Sequence, residues 1–496
     1  MTDVLLYISD QHAYQVQGYA GDTLVRTPNL DRIAHAGVTF DRAYTAYPVC
    51  VPARMSMLTG THSSRNGVMT NNCALDSNLA TFVHCLDASG YETVLCGRMH
   101  FVGHDQRHGF SRRIAGDVTQ VYHNRPARIA VERGVHDKTP QGGPGSLGFI
   151  GGGNSPTLEY DRYVIEHALE YLSGTYDKPQ FLCVGTYGPH HPFVAPKELY
   201  EYYYDRVDVP EESFAYEQHP ALDTTFRDTT PQTIRAVRTA YYGMVEFEDQ
   251  QIGKVYDAFQ AYLARNHREG VFIYVSDHGE HAGYRGYFGK NTFYDCSVHV
   301  PMLFAGCGVA ENVRKQGPVS LMDVAPTVLE LTGSVALPQQ DGVSLVGALS
   351  GDADDTDRVV LSEVGGDISM GAFSYGQMAC WKQYKFIHYD GHEGSDVLYD
   401  LAQDPQESKN VLGEHPDVVE HLREVIRTRL TVPVEQLRER AVVQKRNSDL
   451  LRKCHYDSEE LWHCPPQARE LPDPLVQGTY TVESWIAELR SKAKKK

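Results

Sequence analysis

The chain of 496 residues carries 46 basic and 64 acidic side chains, a formal charge of −18 and a pI near 5.7, which excludes a nucleic-acid partner held by bulk charge. Hydrophobic residues make up 41% and mean hydropathy is −0.41; the apolar runs are strand-sized, far below the roughly 20 residues of a membrane helix, so we expect a soluble chain with no membrane partner and about two to four domain-sized units. The ten cysteines are scattered without a C-x-x-C pair, which excludes a zinc ribbon and a dithiol redox motif.

Met1-Thr2-Asp3 runs straight into an apolar strand over residues 4–9. No basic leader or small-residue cleavage site precedes it, so a cytoplasmic location is expected. That strand ends in Ser9-Asp10-Gln11-His12, and a helical pattern follows over 29–36. Next comes Pro48-Val49-Cys50-Val51-Pro52-Ala53-Arg54, in which Pro52 suits a first helical turn. This places Cys50 at the positive end of a helix with Arg54 about one turn on. A helix over 79–88 leads to a strand over 92–96 and then to Gly97-Arg98-Met99-His100. Gly143 to Gly148 literally satisfies G-x-G-x-x-G, but no strand enters it and Pro144 occupies the turn, so it is a surface loop rather than a dinucleotide site.

Helix 160–172 precedes strand 181–186 and Pro189-His190-His191-Pro192; helix 234–263 precedes strand 271–276 and Asp277-His278-Gly279-Glu280, with Gly289-Lys290-Asn291 shortly after. Strands that are apolar throughout and alternate with helices predict a mostly parallel sheet covered on both faces. Functional residues of such sheets gather at the carboxyl ends of strands. Two carboxylates, an amide oxygen and an imidazole delivered to one edge by Asp10, Gln11, Asp277 and His278 suit one divalent cation. Arg54, Arg98, His100, His190 and Lys290 add cations and titratable rings of the kind an oxyanion-handling site requires. From residue 358 the texture changes to short strands at 359–363, 384–389 and 396–399 with a closing helix over 416–429. A further charged helix is expected over 434–453. We therefore divide the chain into a catalytic domain (1–357), a small C-terminal α+β unit with an antiparallel sheet (358–430) and a tail extension (431–496).

Several of these segments together resemble the type I sulfatases of the alkaline-phosphatase superfamily. Cys50-Val51-Pro52-Ala53-Arg54 is similar to their C-x-P-x-R signature, with Leu58-Thr59-Gly60 as its continuation. Gly90-Tyr91-Glu92-Thr93 through His100, His190-His191-Pro192-Phe193, Asp277-His278-Gly279-Glu280 and Leu398-Tyr399-Asp400-Leu401 follow in the family's order. Asp10-Gln11 with Asp277-His278 resembles the subgroup of choline sulfatase and phosphonate monoester hydrolase. Arg98 departs from the family's usual Lys.

The resemblance implies an alkaline-phosphatase-like α/β sandwich and a sulfuric ester hydrolase. It implies that a maturation enzyme converts Cys50 to formylglycine, and that one divalent cation is held by Asp10, Gln11, Asp277, His278 and the modified residue 50. Calcium is preferred for its mostly oxygen ligands, with magnesium or manganese as alternatives. His190 becomes the proton donor to the leaving alcohol and His100 the base that releases sulfate. Arg54, Arg98 and Lys290 hold charge, and Asn71 with Arg98 contacts the sulfate. The substrate is a sulfated sugar or other sulfated small molecule. The alternatives are a phosphonate monoester or phosphodiester hydrolase with the same site, and a non-catalytic sulfate-ester binder. The apolar positions of the tail predict that it docks either on its own chain or across a two-fold axis; the subgroup favours the second, a homo-oligomer in which the tail crosses a subunit boundary.

Overall fold

In the strand Asp3–Asp10, successive side chains point to opposite faces and all are buried. Val4, Leu6 and Ile8 join one apolar core, Leu5 and Tyr7 another. The strand must therefore lie between two helical layers. A computed structural model describes residues 2–103, 105–117, 147, 150–214, 219, 221–222, 229–365, 374–392 and 394–451, and shows this arrangement. Helices Cys50–Thr59, Phe82–Ala88 and Val324–Thr332 cover the first face; Pro28–His35, Pro156–Leu172 and Pro231–Asn266 cover the second.

The eight-stranded sheet runs in the order Val313–Lys315, Gly37–Phe40, Met302–Gly306, Gly270–Ser276, Asp3–Asp10, Gln180–Pro189, Glu92–Gly97, Arg112–Ala115. Met302–Gly306 pairs antiparallel with both of its neighbours, and every other pairing is parallel. The expected mostly parallel sheet is observed, with an antiparallel strand that the sequence reading did not place. Register positions the site. Ser9 pairs with Ser276 and Asp10 with Pro189, so the segments after three adjacent strands leave the sheet side by side. Gly97 pairs with Gly185, which brings Arg98 to the same edge.

The C-terminal unit is a meander of four antiparallel strands, Val359–Gly365, Tyr375–Trp381, Tyr384–Tyr389 and Val397–Asp400, closed by the helix Pro416–Arg429. Tyr375–Trp381 was not expected. Alternate residues again face two ways: Leu361, Ala379, Phe386 and Leu398 pack on the closing helix, whereas Val360, Met378, Cys380 and Ile387 pack on Tyr44, Phe293, Tyr294 and Val298 of the catalytic part.

The helix expected at the start of the tail is Val434–Leu451, and it lies on its own chain, with Leu437 against Met69 and Tyr375. Of the two dockings expected for the tail, this part takes the one on its own chain, where Leu437 finds its apolar partners. The tail's later apolar positions and the Gly143–Gly148 loop, apart from Leu147, lie outside the described residues. The cysteines among the described residues are all free, and no helix there is long and apolar enough to cross a membrane.

Candidate active site

The helix Cys50–Thr59 ends at Gly60, whose φ of +66° is the left-handed conformation glycine favours. Its entry is less regular: Val49 supplies no side-chain cap. Asn71 does so from outside, accepting the Val51 N–H on Oδ1 at 2.9 Å while its Nδ2 lies 3.9 Å from Cys50 Sγ. Cys50 thus sits buried in the first turn, beneath the carboxyl ends of the central strands.

Around it, Asp10, Cys50, Asp277 and His278 each offer a ligand atom within 4.8 Å of the others, and all four residues are buried. Cys50 Sγ lies 3.1 Å from His278 Nε2 and 3.7 Å from Asp10 Oδ1. Each carboxylate divides its work. Oδ2 of Asp10 accepts from Arg98 Nε at 2.7 Å and Arg54 Nη2 at 3.2 Å, and Oδ2 of Asp277 accepts from Arg54 Nε at 2.7 Å. The Oδ1 atoms turn towards His278 Nε2, 3.7 Å away for Asp10 and 3.6 Å for Asp277. Burial would raise the Asp10 carboxyl, but the Arg98 and Arg54 guanidiniums outweigh it and hold the group ionised, well below its ordinary range. The His278 ring meets the Gly279 carbonyl through Nδ1 at 3.1 Å, and burial lowers its pKa. A neutral ring with its Nδ1 hydrogen spent on a carbonyl keeps the Nε2 lone pair for the cluster. Two anionic oxygens, an imidazole nitrogen and the residue-50 side chain converging on one buried point form a donor set that fits a divalent cation.

Gln11, whose φ is +71°, stands beside the cluster. Its backbone N–H donates to Asp277 Oδ1 at 3.1 Å, its Oε1 accepts from Lys290 Nζ, and its Nε2 donates to Glu280. It links the cluster to Lys290, which in turn reaches His190 Nε2 at 2.7 Å. His190 donates through Nδ1 to the His191 carbonyl at 2.7 Å. Burial first, then His191 and Lys290, push its pKa well below the usual value, so the ring is neutral.

On the other side the chain turns at Gly97, where φ is +93° and an added Cβ would stand 2.3 Å from the Gly185 carbonyl oxygen. Only glycine permits that approach, and it delivers Arg98. Arg98 Nη1 reaches Asp117 Oδ1 at 3.2 Å and Nη2 reaches His100 Nδ1 at 2.7 Å, while the His100 backbone N–H donates to Asp117 Oδ2 at 2.9 Å. Burial and Arg98 keep His100 neutral. With Nδ1 accepting from Arg98, its proton resides on Nε2.

Every residue singled out from the sequence lies in one connected network of contacts at this edge. Asp117 was missed. It follows Arg112–Ala115, an edge strand too short and too charged to read as one; its position just past a strand end was the available signal.

A family model described as Sulfatase matches residues 2–334, and one described as N-sulphoglucosamine sulphohydrolase, C-terminal, matches 279–432. A choline-sulfatase of Rhizobium meliloti (strain 1021) is 31% identical over 419 residues, covering 79% of this chain and 78% of its own. Among solved structures, the phosphonate monoester hydrolase of Agrobacterium radiobacter superposes with a TM-score of 0.71 at 22% identity, covering 87% of this chain and 96% of that one. A structure in complex with its substrate D-glucosamine-2-N,6-O-disulfate gives 0.67 at 18% identity, covering 91% and 100%. The two structures share the fold, and the family model spans the strands that deliver Asp10, Arg98, His190 and Asp277 together with the Cys50 helix: the chain belongs to the sulfatase family and is a sulfuric ester hydrolase.

Proposed function

We propose that the chain cleaves a sulfated sugar or other small sulfate ester to an alcohol and inorganic sulfate, with Cys50 matured to formylglycine by a separate enzyme. The carrying observation is the convergence of Asp10, Cys50, Asp277 and His278 within 4.8 Å, backed by two buried guanidiniums. A divalent cation bound there, calcium by the oxygen majority, with Gln11 Oε1 as a further ligand, would lower the pKa of a hydroxyl on residue 50 and neutralise sulfate oxygens.

The chain's own residues do the rest. Arg54 and Arg98 fix both carboxylates, so that the charge meeting the sulfate is arranged before substrate arrives. Asn71 orients residue 50 through the first helical turn and faces the sulfate. His190 Nε2 takes a proton from the Lys290 ammonium and passes it to the leaving alcohol, which leaves Lys290 uncharged and the ring neutral with its Nδ1 hydrogen still on the His191 carbonyl. His100 stands at residue 50 as the group that manages its proton during sulfate release. Because Arg98 occupies Nδ1, His100 first donates from Nε2 and accepts only when that contact yields.

The relative bound to a glucosamine disulfate supports a sugar ester as substrate. The test is sulfate release from sulfated sugars, choline sulfate and an aryl sulfate, by protein produced with the maturation enzyme. Mass spectrometry of the Cys50 peptide accompanies it. Cys50→Ala and Asp277→Ala should each abolish turnover with an unchanged circular dichroism spectrum. Wild-type turnover in either variant, or a strong kcat/KM preference for an aryl phosphonate over the matched sulfate, sinks the proposal; a persistent free thiol at Cys50 favours a binder.

A further inference from the structure

No helix or strand lies between Asn66 and Phe82, yet Asn71 in that stretch must hold its carboxamide against both Val51 N–H and Cys50. Tyr47 Oη donates to the Met69 carbonyl at 2.8 Å, and further fixing contacts come from far along the chain. Gln444 of the Val434–Leu451 helix reaches both ends of the 67–73 loop with one carboxamide: Nε2 donates to the Gly67 carbonyl at 2.6 Å, and Oε1 accepts from Cys73 Sγ at 3.0 Å. One turn earlier Arg440 Nη1 donates to the Ser64 carbonyl at 2.7 Å, and one turn later Ser448 Oγ donates to the Asn72 carbonyl at 3.3 Å. Leu437, fully buried, anchors the helix against Met69 and Tyr375. These contacts lie on one face of the helix, at the three- and four-residue spacing that puts side chains in line.

We infer that Gln444 is a positioning residue of the active site: by tying Gly67 to Cys73 it holds Asn71 as the cap of the Cys50 helix, and the tail helix is a working part of the site in cis. The inference rests on the reading of Cys50 as the reacting position. Gln444 touches neither the metal ligands nor substrate; it acts through Asn71. Gln444→Met keeps the side chain's length and removes both hydrogen bonds.

Two measurements on the full chain test it. The first is amide exchange at Val51, whose N–H is the one Asn71 accepts: Gln444→Met should speed it about tenfold, the size of one ordinary hydrogen bond's net contribution, while amides of the central strands keep their rates. The second is a kinetic cycle with an aryl sulfate. Gln444→Met should lower kcat about ten- to a hundredfold with KM nearly unchanged, and add nothing further in an Asn71→Ala background. Unchanged exchange at Val51, or equal losses in both backgrounds, overturns the inference. A wild-type protein that cleaves no sulfate ester overturns the proposed function instead, and Val51 exchange then decides the positioning role by itself.

Discussion

Arg98 shows how one side chain carries several demands. The family's usual Lys offers a point charge, whereas the planar guanidinium sends Nε to Asp10, Nη1 to Asp117 and Nη2 to His100 from a fully buried position. Asp117 is thus the acceptor that makes the arginine fit. Removing the fork leaves Asp10 and Asp117 buried with less compensation, and breaking a buried pair from one side costs about 3–5 kcal/mol. Arg98→Met should lose stability on that scale in urea titrations. Arg98→Lys should fall between, since an ammonium can serve Asp10 but not all three partners. Its turnover should drop as well, because His100 is no longer held. A lysine variant equal to wild type in both measures would refute the argument from fork geometry.

Elements are tied together by contacts of the same kind. In the C-terminal meander, His388 on Tyr384–Tyr389 meets Asp396 Oδ1 at 2.8 Å and Asp390 at 3.7 Å, and Asp396 also accepts from Arg423 of the closing helix at 2.7 Å. The hydrogen bonds to Asp390 and Asp396 raise the His388 pKa to about 9 from an ordinary 6.5. A histidine whose folded pKa lies above its unfolded one contributes stability that is fully present below pH 6.5 and is lost as pH rises through 9. We therefore expect His388→Gln to melt lower than wild type at pH 6 and to match it at pH 10. A gap in melting temperature that persists unchanged at pH 10 would show that shape, not charge, is what the ring supplies.

Across the whole molecule, Lys385 joins the C-terminal sheet to the catalytic part. Its ammonium is buried and donates to the Phe293 carbonyl at 3.0 Å, to Asp295, and to Glu407 at 2.7 Å. Burial would lower its pKa, but Asp295 and Glu407 outweigh that and hold it charged. Lys385→Met leaves the two carboxylates facing each other without a counter-charge, so a loss of about 3–5 kcal/mol is expected in denaturant titrations. We therefore expect the parts on either side of residue 358 to unfold together, as one cooperative unit. Two separate unfolding transitions in the wild-type protein would contradict that coupling.

The residues that carry the chemistry were legible from their local setting: an apolar strand buried on both faces exposes its next residues at its carboxyl end, and Asp10, Arg98, His190 and Asp277 follow such strands. The Cys50 helix was legible for the same reason, since Pro52 and Gly60 mark its start and stop within a few residues. Strand direction was not. Met302–Gly306 is as apolar as its neighbours, and an apolar run reads alike whichever way it pairs. Nor could spacing show that Gln11 turns to Lys290 and Glu280, that Asp117 completes the grip on Arg98, or that a glutamine 373 positions beyond Asn71 stitches its loop. Such partners are chosen by how the layers pack, because a contact between distant segments exists only once burial has already brought the segments together.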